Sequence, residues 1–284
     1  LTPQEVKSLF ETLNSLVAEG RTILYITHKL EEVISLCDTV TIMRSGEVID
    51  TSSIENQTAE SLATKMLGQK LEELKKDNDS IKNKVNFITK NISCSYNDPF
   101  FTDIKNISLE VNKGEIFGIA GVAGNGQSEL MDILVGENNK IDSGEIIFKN
   151  TNIETFNPQQ RRNLSIAFVP ENRLGHSAVP ELTLSENILL SQFANNKFSK
   201  YGIIDNNIIE KHTNTVIKNF NVVTPGSDAK ASSLSGGNLQ KFVIGREITS
   251  NPELLIISHP TWGIDAGAEH SIRESLINLS KPRN

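Results

Sequence analysis

The clearest chemistry lies in one stretch, Gly121-Val122-Ala123-Gly124-Asn125-Gly126-Gln127-Ser128, which meets the pattern G-x-x-x-x-G-K-[ST] at every fixed position except the lysine. Glycines at Gly121, Gly124 and Gly126 allow close approach and positive φ, so the N–H groups from Gly124 to Ser128 can converge on an anion. The helix that follows adds the positive end of its dipole. Ser128 offers a hydroxyl to a divalent cation. A lysine would bring a full charge, whereas Gln127 brings neutral N–H donors. A charged hydrogen bond contributes about 1.5–3 kcal/mol against about 0.5–1.5 for a neutral one, so affinity for a polyphosphate falls on the order of tenfold and binding survives. Further polar residues stand at the ends of apolar runs: His28 after RTILYIT, Glu171 after SIAFVP, Leu234-Ser235-Gly236-Gly237 before a helical pattern, and Ser258-His259-Pro260-Thr261 after ELLII.

These residues need elements to place them. The apolar run 116–120 predicts a buried strand entering the glycine loop, and 129–134 predicts the first turns of a helix leaving it, which is the context the motif requires. Thr2-Pro3-Gln4-Glu5 has the capping-box form, and Val6, Leu9, Phe10, Leu13, Leu16 and Val17 then predict an amphipathic helix facing a core, ended by Gly20. Arg21 to Thr27 predicts a buried strand, and Lys29 to Cys37 a short helix. Strands at 38–43 and 47–50 flank the turn Arg44-Ser45-Gly46, and a helix is expected over about 59–67. Residues 69–80, rich in Lys, Glu and Asp, predict a solvated linker. A second unit follows, with strands at 85–93, 104–111, 144–149 and 165–169, a helical polar segment without strand signal over about 182–223, a helix to about 249, a strand at 253–257 and a last helix to about 279. A weak internal repeat relates the segment before His28 to the segment after Asp265.

With 284 residues and 37% apolar content, the chain has room for one large or two ordinary domains with a packed α/β core. A formal charge of −7 without a basic run gives no electrostatic footprint for nucleic acid or an anionic membrane. Cys37 and Cys94 show no metal or disulfide spacing and fit a reducing compartment. No apolar segment approaches the ~18 residues needed to cross a bilayer.

The glycine loop, a strand ending near Glu171, a helical insert closed by L-S-G-G, and an apolar strand followed by Gly263-Ile264-Asp265 together resemble the ATP-binding cassette (ABC) ATPases of membrane transporters. The segment Leu234 to Lys241, L-S-G-G-N-L-Q-K, is similar to the signature of the sugar and nucleoside importer branch, and ITHKLEEVISLCDTVTIMRSGE resembles the switch-histidine end of a preceding cassette. The G-V-A-G-N-G-Q loop and V-P-E-N-R, Val169 to Arg173, are similar to nucleoside importers served by a basic-membrane-protein type lipoprotein. The resemblance implies an α/β P-loop NTPase of ABC type with an antiparallel β subdomain and a helical signature subdomain. It implies a first-cassette tail at 1–68, a linker at 69–84, and a second cassette at 85–284 that stops before its own switch histidine. Leucine at position 1 inside a helix start leads us to expect a piece of a longer polypeptide.

On the same resemblance, ATP and Mg²⁺ are the expected cofactors. Tyr96 would stack on adenine, and Gly121, Gly124, Asn125, Gly126, Gln127, Ser128 and Glu129 would surround the phosphates. Ser128 and Glu171 would reach Mg²⁺. Leu234, Ser235, Gly236, Gly237 and Asp265 would close over nucleotide at the facing interface, with His28 as the catalytic switch histidine of the first cassette. Ser258 and His259 stand at the positions of the metal-holding aspartate and the general-base glutamate, so the second site is expected to retain ATP with little hydrolysis. Trp262 replaces the usual arginine, and Thr2 stands at the first cassette's D-loop aspartate. The implied function is ATP-driven nucleoside uptake through two transmembrane permease subunits and, indirectly, a substrate-binding lipoprotein. The chain would be peripheral at the cytoplasmic face of the membrane. The alternatives are a sugar importer of ribose or galactose type, a soluble tandem cassette acting on ribosomes or nucleic acid, and a non-hydrolysing scaffold.

Overall fold

The computed structural model describes residues 3–44, 46–68, 84–138, 140–193, 198–200 and 203–281. Thr2 of the expected capping box, Ser45 of the expected turn and all but one residue of the expected linker lie outside them. Two compact units are present, Leu1–Leu74 with Asp265–His270, and Lys75–Ile264 with Ser271–Asn284.

In the first unit, α1 (Pro3–Ala18) is followed by α2 (Leu30–Leu36), the hairpin of β1 (Thr39–Arg44) and β2 (Glu47–Ser53), and α3 (Ala59–Leu67). Thr58 and Ser61 cap α3 reciprocally, and Gly68 ends it in the left-handed region. Val33, Ile42 and Leu62 form a small core. Two expectations fail here. The apolar stripe of α1 is not buried, with Leu16 and Val17 exposed, and the run 21–27 joins no ladder, leaving Leu24 and Ile26 nearly 90% exposed. An apolar run becomes a buried strand only when neighbouring strands satisfy its backbone, and a helix of this kind buries its stripe on the sheet so formed. Among the described residues that sheet is missing.

The second unit opens with β3 (Val85–Cys94) and β4 (Ile104–Asn112), followed by α4 (Gln127–Val135), β5 (Ser143–Phe148), β6 (Thr151–Asn152), α5 (Pro158–Asn163) and β7 (Ile166–Val169). α6 (Leu184–Gln192), β8 (Ser199–Lys200), β9 (Ile203–Ile204), α7 (Asn206–Asn219), α8 (Gly236–Thr249) and β10 (Leu254–Ile257) follow, and α9 (Ala266–Ser280) is divided, its residues to His270 belonging to the first unit and those from Ser271 to the second. An antiparallel sheet runs β4-β3-β5-β6, and β10 pairs β7 in parallel. Phe87 and, beyond a register irregularity after Thr89, Ile92 and Cys94 of β3 join a core with Ile104, Ile133, Leu134, Ile146, Phe148 and Ile153. Met131 and Val135 of α4 pack with Phe168 and Ile256, which seats this helix on the β7–β10 pair.

The expected strand at 116–120 is not hydrogen-bonded into either sheet; Ile116, Phe117 and Ile119 are each about half exposed. These residues instead line a cavity of about 300 Å³ together with β10, Leu276 and Leu279. β10 pairs only with β7 among the described residues, so no ladder joins it to 116–120. The segment 182–223 also departs from expectation, because the two-residue strands β8 and β9 pair within it. Two residues are too few to leave a period in sequence.

One buried cation organises this unit. The guanidinium of Arg161 donates to the carbonyls of Ile133 and Leu134 at 2.8 and 2.6 Å, and also to those of Ile153, Glu154 and Phe156. It thereby satisfies the last carbonyls of α4. Burial lowers its pKa to about 10.

Candidate functional site

The glycine loop ends at Gly126, which takes φ +95° and caps α4 without a side-chain acceptor. Gly124 also has positive φ, at +85°, a geometry L side chains resist. Together they turn the chain so that the first N–H groups of α4 are left for a ligand or for water. Thr102 holds the loop from outside: its Oγ1 donates to the Gly124 carbonyl at 2.9 Å, and its N–H donates to Glu129 Oε1 at 2.9 Å. Glu129 is therefore engaged in fixing this loop. Gln127 is bonded within the loop itself, with its Oε1 accepting from the Asn125 N–H at 3.1 Å.

Tyr96 lies against the core of the antiparallel sheet with Phe101 stacked on it, ring centroids 5.3 Å apart and planes 11° from parallel. Its hydroxyl accepts from Asn138 Nδ2 at 3.1 Å. Burial pushes its pKa up to about 12, so the phenol stays neutral across the physiological range. One ring face is thus already covered, and Phe101 and Phe100 present the more exposed rings.

Register places two further candidates. Val169 pairs with Ile257 in the parallel ladder, and the Ser258 N–H continues it to the Val169 carbonyl at 2.9 Å. The residues after each strand therefore meet at the C-terminal ends, where ligands bind in parallel α/β sheets. Glu171 and His259 come within 4.0 Å as a carboxylate–imidazole pair. His259 has φ +44°, a left-handed conformation that costs a non-glycine residue on the order of 1–3 kcal/mol.

Arg173, two residues after Glu171, donates to the Trp262 carbonyl. Its guanidinium lies so close to Gly236 that a Cβ there would meet Nη1 at 2.8 Å. It therefore links the strand-end segment, the loop after β10 and the start of α8. Burial lowers its pKa.

Ser235 caps α8, its hydroxyl accepting from the Asn238 N–H at 3.4 Å and from Asn238 Nδ2 at 3.0 Å. Leu234 is half-buried, while Ser235 and Gly236 are exposed and Gly237 half-buried at the helix start. Asp265 caps α9 by accepting from the N–H groups of Gly267 and Ala268 at 3.0 and 2.9 Å. His28 is exposed just before α2. His28 and Asp265 belong to the first unit; the other candidates belong to the second.

Thr102, Asn138, Phe101 and Arg173 escape a reading of sequence. Arg173 sits in the quoted V-P-E-N-R segment, which is its one signal. The others are ordinary residues whose partners are 22 to 42 positions away or held in a short loop. Among the described residues, no group of three or more His, Cys, Asp or Glu is placed to hold a metal ion.

A family model described as ABC transporter matches residues 104–262. The chain is 38% identical, over 98% of its length, to the nucleoside import ATP-binding protein NupA of Lactococcus lactis subsp. cremoris, covering 54% of that protein. It is 34% identical, over 99% of its length, to the galactose/methyl galactoside import ATP-binding protein MglA of Escherichia coli (strain K12), again covering 54%. It is also 34% identical, over 98% of its length, to the glucose import ATP-binding protein TsgD13 of Haloferax volcanii, covering 50%. The chain thus spans about half the length of the curated relatives it matches. Among solved structures, the ATP-binding cassette MJ0796 bound to ADP and Pi superposes with a TM-score of 0.58 at 25% identity, over 68% of this chain and 82% of that one.

Proposed function

This chain belongs to the ABC transporter family, and from that membership we propose that it is part of the ATP-binding subunit of an importer. In this reading, residues 1–68 are the C-terminal part of a first cassette, 69–84 a linker, and 85–284 most of a second cassette that holds nucleotide and hydrolyses little of it. The observation that carries the reading is the residue set at the second site. A glycine loop with a bare helix N-terminus remains, while Gln127, Ser258 and His259 stand where charge would be needed to stabilise a transferring phosphoryl group.

The loop N–H groups from Gly124 to Ser128 would hold the phosphates, and ATP fits a donor set of this kind. Mg²⁺, whose bound form neutralises phosphate charge, would come with the nucleotide. Ser128 and Glu171 are the oxygen donors proposed for it, and a thin set of this kind supports delivery on the phosphates over a resident ion. Ser235 and Gly237, at the start of α8, would face a nucleotide held by the other cassette, with His28 on that nucleotide's γ-phosphate. Closing the two cassettes on ATP would move two permease subunits, placing this chain peripherally at the cytoplasmic face. No helix among the described residues is long and apolar enough to cross a membrane.

A nucleoside is the proposed cargo, supported by the G-N-G-Q loop, the V-P-E-N-R segment and the similarity to a nucleoside import protein. Sugar import is the second reading, favoured by the relatives named for galactose and glucose. Titration calorimetry with ATP and ADP, alongside phosphate release by the same preparation, tests the site. Nucleotide binding without sustained release is expected, and steady turnover by this chain would contradict the reading. Uptake of labelled nucleoside against labelled galactose by the intact transporter decides the cargo.

A further inference from the structure

Gln127 is turned back into its own loop. Its Oε1 accepts from the Asn125 N–H at 3.1 Å, and its Nε2 donates to the Val122 carbonyl at 3.0 Å. The carboxamide lies so close over Gly121 that a Cβ there would meet Nε2 at 2.5 Å. The side chain therefore spans the loop from Gly121 to Asn125. The Asn125 N–H is one of the few donors this loop has for an anion, and a carboxamide oxygen presents to it the kind of acceptor a phosphate oxygen would.

Resting on the reading of 121–128 as a nucleotide cradle, we propose that Gln127 is an internal occupant of the phosphate loop, competing with phosphate for the Asn125 N–H instead of contacting the ligand. Its bonds are not what holds the loop in shape. Thr102 anchors Gly124 from outside, and Asn125 Nδ2 donates independently to the Val122 carbonyl at 2.9 Å. Two consequences follow from the geometry. A nucleotide must displace the carboxamide or bind with one donor fewer. With the side chain at 127 folded inward, nothing from that position reaches beyond the phosphates the backbone cradles, so a diphosphate and a triphosphate are held alike. A lysine at this position would have no acceptor to offer the Asn125 N–H and would extend to the outer phosphates.

The test is titration calorimetry of the chain, Gln127→Ala and Gln127→Met with ADP, ATP and pyrophosphate. Met keeps the length of the side chain and removes its acceptor. Both variants are expected to bind every ligand about two- to tenfold tighter than the parent, the difference one hydrogen bond makes. The ATP-to-ADP affinity ratio is expected to stay near one in all three. Ligand-free thermal midpoints are expected to fall slightly in both variants, so stability and affinity move in opposite directions. Weaker binding by both variants would overturn the inference and leave the nucleotide reading standing, as would a change in Gln127→Ala that Gln127→Met does not share. Absence of binding by all three proteins would overturn the nucleotide reading itself, and the inference with it.

Discussion

Asp132, one turn along α4 from Ser128, is a carboxylate whose environment works against its charge. Burial raises its pKa, Glu137 and Glu129 add to the rise, and His176, bonded to Glu137 at 2.6 Å, works the other way. A folded-state value above the unfolded one favours the native state fully below the unfolded pKa of about 3.9. That contribution is lost as pH rises through the folded value. Ionised Asp132 is therefore a cost at neutral pH. Asp132→Asn should raise the thermal midpoint at pH 8, and the gain should shrink steadily towards pH 4.5. A gain of equal size at both pH values would show that charge is not its source. Of the residues around this helix, Gly121 to Ser128 could be found by spacing. The strain at His259 and the engagement of Glu129 with Thr102 could not, because each depends on a neighbour distant in sequence or on a backbone angle.

At the scale of elements, α4 is the piece that delivers the site, and both ends of it are unusual. Its N-terminus has no side-chain cap, which suits anion binding, while its C-terminal carbonyls at Ile133 and Leu134 are satisfied by Arg161, 28 and 27 residues on. Removing a buried guanidinium that satisfies five carbonyls leaves acceptors without water or partner. Arg161→Leu should cost about 3–5 kcal/mol in urea unfolding. Arg161→Lys should recover only part of this, since an ammonium has three donors and no planar fork. An unfolding midpoint unchanged by Arg161→Leu would contradict the assignment. A second ion network braces α8: Glu247 accepts from Arg162 at 2.8 Å and from Ser191 at 2.6 Å, and pairs with Arg246 at 2.8 Å. Burial opposes the charge on Glu247, but Arg246 and Arg162 together hold its pKa below the usual carboxylate range.

At the scale of the whole molecule, the two units differ in what supports them. The first has a small buried core of Val33, Ile42 and Leu62, whereas a much larger cluster stabilises the second. Small cores leave little margin over chain entropy. The one tryptophan, Trp262, lies in the second unit and reports on it alone. In urea, helical circular dichroism should begin to fall before Trp262 fluorescence shifts, because α1, α2 and α3 melt first. Superimposable curves from the two probes would show instead a single cooperative transition.

The sequence by itself determined the glycine loop, the L-S-G-G run before α8, the hairpin of β1 and β2, three of the four strands of the antiparallel sheet, β3, β4 and β5, and the helices that carry the candidate residues. All of these rest on local patterns: periodicity, caps and fixed spacing. Tertiary structure decided what local pattern cannot carry. It set the meeting of Glu171 with His259 through the β7–β10 register, the bridging position of Arg173, and the cover of Phe101 over Tyr96. It also left the apolar runs 21–27 and 116–120 outside any ladder. Those two runs read as strands because strand propensity belongs to the residues, but pairing belongs to the neighbours, and a parallel strand without them has no partner for its backbone.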